Sequence, residues 1–444
     1  MKGVIILSAV ILWTGVMPLS AFPQSEVESD REYSFDLSEI EEEIEKKPYS
    51  IGGFLEFEPT LLGLDTDAVF YKLTFFDESE GHTTEQYSGR LRLEGSYQQG
   101  MSGLYFRADG FLGYDYLGWD DEIDLLEGYF SLKPTPSVTI DVGKKVTKWG
   151  KGYAWNPVSF VDRPKNPEDP EEALEGFYVL TADFIKSFDG PLQTLAFTPV
   201  VIPVTEELND EFGKTDHINF GAKLYSLYRD TDLDLIFFTG ASRTTRYGFD
   251  FARNLKPNLE IHGEIAWITD FEKKSLDNQG GLSTKESDVL SALLGFRYLT
   301  ANETTFIFEY YHNGRGISED DFVNFVGFVD QSYDTFLTTG DSSGLNQANQ
   351  LSKGSFGGAN PMRDYIYVRA SQKEPFDILY LTPAITSICN LRDQSFVLIP
   401  ELRYSLKTNL ELRLRAAFLV GDKNSEYGEK QNDFRLELRA RFFF

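Results

Sequence analysis

The stretch Tyr87-Ser-Gly-Arg-Leu-Arg-Leu-Glu-Gly-Ser-Tyr97 alternates strictly between two kinds of residue. Apolar and small residues, among them Leu91 and Leu93, occupy every second position, and Arg90 and Arg92 stand between them. Successive side chains of a β-strand point to opposite faces, so the segment predicts a strand with one face suited to lipid and one to water. A soluble β-sandwich would use the same alternation for its core, so one such strand does not decide the fold.

The same two-residue period recurs from residue 51 to the end of the chain. Comparable segments lie at 51–60, 86–98, 102–114, 124–133, 137–145, 175–187, 191–202, 216–228, 231–241, 245–254, 257–269, 287–299, 303–313, 363–372, 377–389, 395–406, 409–420 and 433–444. Most have the ~9–11 residues that a tilted strand needs to cross an outer membrane. A sheet in hydrocarbon must close, because an open edge leaves backbone groups unpaired. The pattern predicts an all-β fold over 49–444, a single transmembrane antiparallel β-barrel of about 18 strands (16–18).

The connections between these segments alternate in length. Short turns rich in Gly, Pro, Asn and Asp stand at every second connection, as at 98–100 and 229–230. The other connections, most of them longer, lie at 61–85, 114–123, 146–174, 203–215, 242–244, 270–286, 314–362, 390–394 and 421–432. Short periplasmic turns and long external loops are the arrangement of outer-membrane barrels.

The first 48 residues differ from the rest. Lys2 precedes the apolar run Val4–Val16, the layout of a secretory signal peptide over 1–21 that is cleaved on export. An uncleaved membrane anchor is the alternative, and the run is short for one. Residues 22–48 are strongly acidic with apolar residues at helical spacing, which predicts an arm with a short surface helix or a solvated segment.

Charge and composition exclude several classes of function. The formal net charge of −28 argues against nucleic acid as a partner, because phosphate binding requires a basic surface. The single cysteine, Cys389, excludes an internal disulfide, and four histidines are few for metal chemistry. Glu260, His262 and Glu264 share one strand face and could in principle hold a cation, but a pore-lining role fits them better. We therefore predict no metal and no cofactor.

His312 is the one residue that suggests an enzyme. It lies near a strand end on the outward face, which invites comparison with barrel phospholipases that place His and Ser there. The adjoining strands bring apolar residues such as Leu290 and Val368, and no serine, to the outward positions beside it. A Ser–His hydrolase is therefore disfavoured, and we predict no catalytic residues.

The last strand carries an independent mark of export. Six residues of Asp433–Phe444 share one face: Phe434, Leu436, Leu438, Ala440, Phe442 and Phe444. An amphipathic final strand that ends in Phe resembles the strand that the barrel-assembly machinery of Gram-negative bacteria recognises. The resemblance implies that machinery and outer-membrane lipids as partners.

The connection at 146–170 is the strongest candidate for a functional loop. It contains Trp149 and Trp155, and the basic residues Lys148, Lys151 and Arg163 give its near part a basic character. Its position resembles that of the constriction loop of general porins, and Trp149-Gly150 followed by Asn156-Pro157 is loosely similar to DUF1302-type porin-like barrels. Prolines limit the conformational entropy of the loop, so it can hold a fixed shape in water. We expect it to fold into the lumen; packing on the rim is the alternative.

Alternation also predicts which charges face the lumen. The inward arginines include Arg90, Arg92, Arg107, Arg246, Arg413 and Arg415. Carboxylates fall on the same face in nearly equal number, so cross-strand ion pairing is favoured slightly over an arginine-lined path for anions. In connection 314–362, apolar residues at spacings of three and four, Phe322 and Phe325 first, predict a helix over the barrel mouth. Gly340–Gly358 is rich in Ser, Gly and Asn and is predicted to be flexible.

Three functional hypotheses follow. The first is a porin-like channel of the Gram-negative outer membrane that passes small hydrophilic solutes by passive diffusion. The second is a barrel that sheathes a partner, such as a redox protein or an exported polymer, with the acidic arm as docking element. An enzyme is the third and is disfavoured. Porins of this class are often trimers, so a homo-oligomer is compatible with the sequence, but no interface is evident in it.

Overall fold

The computed structural model describes residues 47–77, 81–277 and 280–444. The predicted signal peptide at 1–21, and the predicted acidic arm up to residue 46, lie outside the described residues. Pro48–Phe444 forms one compact unit.

Eighteen antiparallel strands in the described part of the chain form one sheet that closes on itself. In chain order they are β1 (Tyr49–Leu64), β2 (Thr83–Gln99), β3 (Ser102–Asp115), β4 (Gly118–Thr135), β5 (Val138–Lys145), β6 (Phe177–Ser187), β7 (Leu192–Val204), β8 (His217–Tyr228), β9 (Thr231–Thr239), β10 (Arg246–Lys256), β11 (Leu259–Leu276), β12 (Leu282–Leu299), β13 (Thr304–His312), β14 (Asp364–Gln372), β15 (Leu381–Asn390), β16 (Phe396–Lys407), β17 (Leu410–Val420) and β18 (Asn432–Phe443). Each strand pairs with the next, and β1 pairs with β18, for example Phe57 with Ala440. The predicted all-β fold, a single antiparallel barrel of about 18 strands, is confirmed.

The alternation seen in the sequence sets the two faces of the barrel wall. On β2, Leu91 and Leu93 are exposed on the outer face, whereas Arg92 points inward and reaches Asp109 of β3. Large apolar side chains are exposed in the same way on most strands. At the seam, the backbone of Phe444 exchanges two hydrogen bonds of 3.1 Å with Gly53, so the last residue completes the closure.

Seven of the eight connections between described strands at one end of the barrel are turns of two to four residues. Arg229 and Asp230 join β8 to β9 with φ of 47° and 59°, the left-handed pair that a two-residue hairpin requires. Two connections at the other end are shorter than predicted. Only Tyr116 and Leu117 separate β3 from β4, because the acidic segment that follows is part of β4 and pairs with β3. Likewise β11 and β12 extend into most of the predicted loop 270–286.

Three α-helices of the described residues, α1 (Val69–Phe75), α2 (Glu319–Thr339) and α3 (Ser343–Leu351), lie in the long connections. Helix α2 confirms the prediction for 314–362, and a capping box between Ser318 and Asp321 starts it. The expectation of a flexible segment after Gly340 is wrong, because α3 forms there and buries two of its three apolar residues, Leu345 and Ala348. Among the described residues, no helix is both long and apolar enough to cross a membrane.

Candidate functional site

The connection between β5 and β6, residues 146–176, runs inside the barrel and is called the internal loop below. Its first half is attached to a buried carboxylate of β11, Glu264. That side chain accepts hydrogen bonds from the backbone N–H of Lys151 (2.6 Å), Gly152 (2.6 Å) and Val158 (3.2 Å), and from the amide of Asn156 (3.1 Å). One inward carboxylate therefore fixes the path of eight consecutive loop residues, 151–158.

A second carboxylate, Glu309 of β13, holds the next peptide units. It accepts the N–H of Tyr153 and of Ala154, the latter at 2.9 Å, and contacts Nε2 of His262 at 2.9 Å. Glu264 thus anchors the loop directly, and His262 does so through Glu309. Lys165 closes the turn by donating to the carbonyls of Gly152 (2.7 Å) and Tyr153 (3.1 Å), and burial lowers its pKa.

Both predicted tryptophans of the loop are buried against inward-facing strand residues. Trp149 packs in a cluster with Val161 and Phe238, and Gly221 of β8 leaves room for it, since a Cβ there would lie 3.1 Å from the ring. Trp155 stacks on Tyr311 at 5.1 Å between ring centroids and donates from Nε1 to Asn360 at 3.1 Å. The first half of the loop therefore packs as a protein core rather than as a solvated loop.

The basic residues of the loop do not form the predicted basic surface. Lys151 lies 2.9 Å from Asp234, and Arg163 lies 2.9 Å from Glu175 and also pairs with Glu211. These cations are neutralised because the inward strand positions and loop ends that face them are acidic. Of the three cations predicted to form that surface, Lys148 is the exception: it is exposed and forms no ion pair among the described residues.

The second half of the loop carries an acidic tip that reaches the opposite wall. Arg413 donates to Asp169 at 2.7 Å, and Arg435 donates to Glu168 at 2.5 Å. Arg415 donates to the backbone carbonyl of Glu168 at 2.9 Å. Burial alone would raise the pKa of both acids, but the adjacent arginines outweigh it and lower the pKa of Glu168 and of Asp169. The internal loop therefore spans the lumen from β11 and β13 to β17 and β18.

The opposite wall bounds a cavity of about 560 Å³. Its eight arginines, named here the arginine wall, are Arg90, Arg92, Arg403, Arg413, Arg415, Arg435, Arg439 and Arg441. Carboxylates alternate with them: Arg92 forms a two-fold contact with Asp109 at 2.6 and 2.7 Å, and Arg90 lies 3.3 Å from Glu172 of the loop. The lining is a mixed-charge surface, as cross-strand pairing predicts.

A second cavity, of about 460 Å³, lies between the loop and the wall of β2 to β4. Lys148 lines it together with Arg107, which bridges Glu94 and Glu127 at 3.1 Å each. Arg246 lines neither cavity; it packs against aromatic rings without an ion pair in the described residues.

Sequence reasoning missed the acidic tip and the anchor Glu309. The tip had a local signal, since Asn166-Pro-Glu-Asp-Pro170 places two acids between two prolines. Glu309 had no such signal in the sequence, because its partners are backbone N–H groups about 155 positions away in the chain.

No known protein family matches the chain, and no curated protein matches it. Among solved structures it is similar to OccK5 (OpdH) of Pseudomonas aeruginosa, with 14% identity, 89% of this chain and 98% of that chain covered, and a TM-score of 0.49. It is similar to Pseudomonas aeruginosa OprD, with 13% identity, coverage of 89% and 95%, and a TM-score of 0.45. It is also similar to a triple mutant of the Rhodopseudomonas blastica porin, with 12% identity, 89% of this chain and 100% of that chain covered, and a TM-score of 0.43. Likenesses at these values assign neither family nor function, and the resemblance to DUF1302-type barrels stays a prediction.

Proposed function

We propose that this protein is a porin-like channel of the Gram-negative outer membrane, through which small hydrophilic solutes diffuse passively. One observation carries the proposal: a closed barrel with an apolar outer face encloses a charged cavity of about 560 Å³. Closure leaves no unpaired edge for lipid to meet, and a polar interior is what an aqueous path requires.

The internal loop acts in this proposal as the constriction. It occupies the lumen between β11 and β17, and its tip is held by Arg413 and Arg435, so solutes pass beside it along the arginine wall. Paired charges of both signs line the path. We therefore expect size, rather than a strong preference for one sign of charge, to govern passage.

Export and assembly complete the proposal. Residues 1–21 act as the cleaved signal peptide, and the barrel-assembly machinery recognises the outward row that ends at Phe444, whose side chain is exposed. The experiment that tests the whole proposal is conductance of the purified full chain in planar lipid bilayers, where discrete ohmic steps are expected.

Cysteine labelling locates the path. In a Cys389→Ser background, Ser88→Cys places a thiol in the larger cavity, whereas Asn346→Cys places one at an exposed position of helix α3. A bulky thiosulfonate reagent is expected to lower the conductance of the first variant and to leave the second unchanged, with labelling of both verified by mass. A wild type without conductance steps, or equal responses of the two thiols, contradicts the proposal.

A further inference from the structure

Arg243, Arg246 and Arg315 are arginines of the loop-bearing end of the barrel that lack a carboxylate partner in the described part of the chain. Arg243 lies in the connection from β9 to β10, Arg246 begins β10, and Arg315 follows β13. Within the described ranges none of the three forms an ion pair, in a chain whose formal net charge is −28. The arginine wall, by contrast, is ion-paired throughout.

Aromatic rings hold two of these guanidinium groups in place. That of Arg243 lies 3.7 Å from the ring centroid of Phe212, and it also donates to the carbonyl of Phe160 at 3.2 Å. That of Arg246 lies 5.9 Å from the rings of Phe160 and Phe238, and its Nε is buried without a hydrogen-bond partner. A guanidinium that stacks on a ring can still donate from its in-plane N–H groups to an oxyanion. In Arg243 the Nε–H is already donated to the carbonyl of Phe212 and Nη1 donates to that of Phe160, so the second Nη is the group that remains for an anion.

The three charges also repel one another. Burial, and then the positive charges of Arg315 and Arg163, lower the pKa of Arg243 to about 10. Arg163 has its own carboxylates, but Arg315 is exposed and has none among the described residues. Like charges in partly desolvated surroundings destabilise the fold unless an anion offsets them.

We propose that Arg243, Arg246 and Arg315 form a binding site for a small solute that carries a phosphate or carboxylate group. The inference goes beyond the proposed function, because equilibrium binding does not require passage through the barrel. The phosphate of a lipid headgroup is not the source, since Arg246 pairs in register with inward-facing Phe238 and points to the interior.

Calorimetric titration of the full chain in detergent with inorganic phosphate, at low salt, tests the site. We expect saturable binding that Arg315→Gln weakens about ten-fold, or ~1.4 kcal/mol, and that the Arg243→Gln, Arg315→Gln double variant abolishes. The matched control is Arg392→Gln, because Arg392 is also partly exposed and external but pairs with Asp364. The same titration in vesicles with and without lipopolysaccharide distinguishes a lipid headgroup from a free solute as the ligand. Loss of phosphate binding only in the vesicles that contain lipopolysaccharide would assign the site to a lipid and overturn the proposal of a free solute.

Thermal unfolding is a second test, because the unfolding temperature should fall if Arg315 has only a structural role and rise if it repels the other two arginines. Without phosphate, Arg315→Gln is expected to unfold at a higher temperature than the wild type, because one repelling charge is gone. With phosphate, only the wild type and the control should gain stability. No saturable binding by the wild type, equal affinity of all variants, or a less stable Arg315→Gln protein without phosphate would each overturn the proposal.

Discussion

The interior of the barrel has two halves that differ in what faces inward. Along β6, β7, β9 and β11 to β16, inward positions at the loop-bearing end are apolar, and the internal loop and α2 bury them as a core. Along β1 to β3, β17 and β18, the inward positions are arginines and carboxylates that border the larger cavity. The outer face is apolar in both halves. The two-residue period of the strands therefore determines the barrel wall. Whether a half of the lumen is filled by the internal loop and α2 or holds the larger cavity depends on whether its inward residues are apolar or charged.

The largest expected effect is in the filled half. Trp155→Ala removes a buried ring that stacks on Tyr311 and contacts Tyr365 and Tyr367, so it should lower the free energy of unfolding by about 3–5 kcal/mol. Denaturant unfolding followed by fluorescence measures the loss. Trp119→Ala is the control: its ring is 73% exposed, so a change under about 1 kcal/mol is expected. Equal losses for both would mean that the loop does not pack as a core.

The anchor of the internal loop comes next. Glu264→Gln replaces one carboxylate oxygen by an N–H donor, which leaves N–H groups of the loop without an acceptor and should destabilise by roughly 2–4 kcal/mol. Glu94→Gln changes the same charge in the open half, where the side chain is 45% exposed and, within the described ranges, bonds only to Arg107, so its loss should be about 0–1 kcal/mol. We expect the first variant also to give larger open-channel noise in bilayers. A stable, quiet Glu264→Gln channel would contradict the anchoring role.

The contrast also explains how much the sequence could predict. Alternation revealed the strands and the inward arginines, since it depends only on neighbours in the chain. It treated Lys148, Lys151 and Arg163 as one basic surface, because the acids that neutralise two of them lie on other elements. Fold follows from local periodicity, whereas the electrostatics of the lumen depends on pairs that only the closed barrel brings together.

Changes at the acidic tip of the internal loop are expected to have a smaller effect on stability, together with an effect on conductance that is confined to acidic pH. The arginine wall lowers the pKa of Glu168 and Asp169 below their ordinary values of 4.5 and 3.8. A lowered folded-state pKa means that the attachment is complete above about pH 4.5 and weakens as the pH falls through the lowered values. We expect wild-type conductance to change in that acidic range. Glu168→Gln with Asp169→Asn should remove this change, favour anions near neutral pH and lower stability by about 1–2 kcal/mol. A wild-type response retained in the double variant would assign it to other groups.

The smallest effect is expected at Lys148, the exposed cation of the second cavity without an ion pair in the described part of the chain. Lys148→Gln removes a fixed charge from the lining, so the reversal potential in a salt gradient should shift toward cation preference at nearly unchanged conductance. Glutamine keeps a Cβ at this position, where φ is 58°, so the backbone strain is unchanged and stability should stay within ~0.5 kcal/mol. A fixed charge acts over about 10 Å at 0.1 M salt and about 3 Å at 1 M, so the shift should shrink at high salt.

Lys214→Gln, an exposed change in the connection before β8, is the control and should leave selectivity as it is. An equal shift for the two variants would trace the effect to the external surface and remove the second cavity from the path.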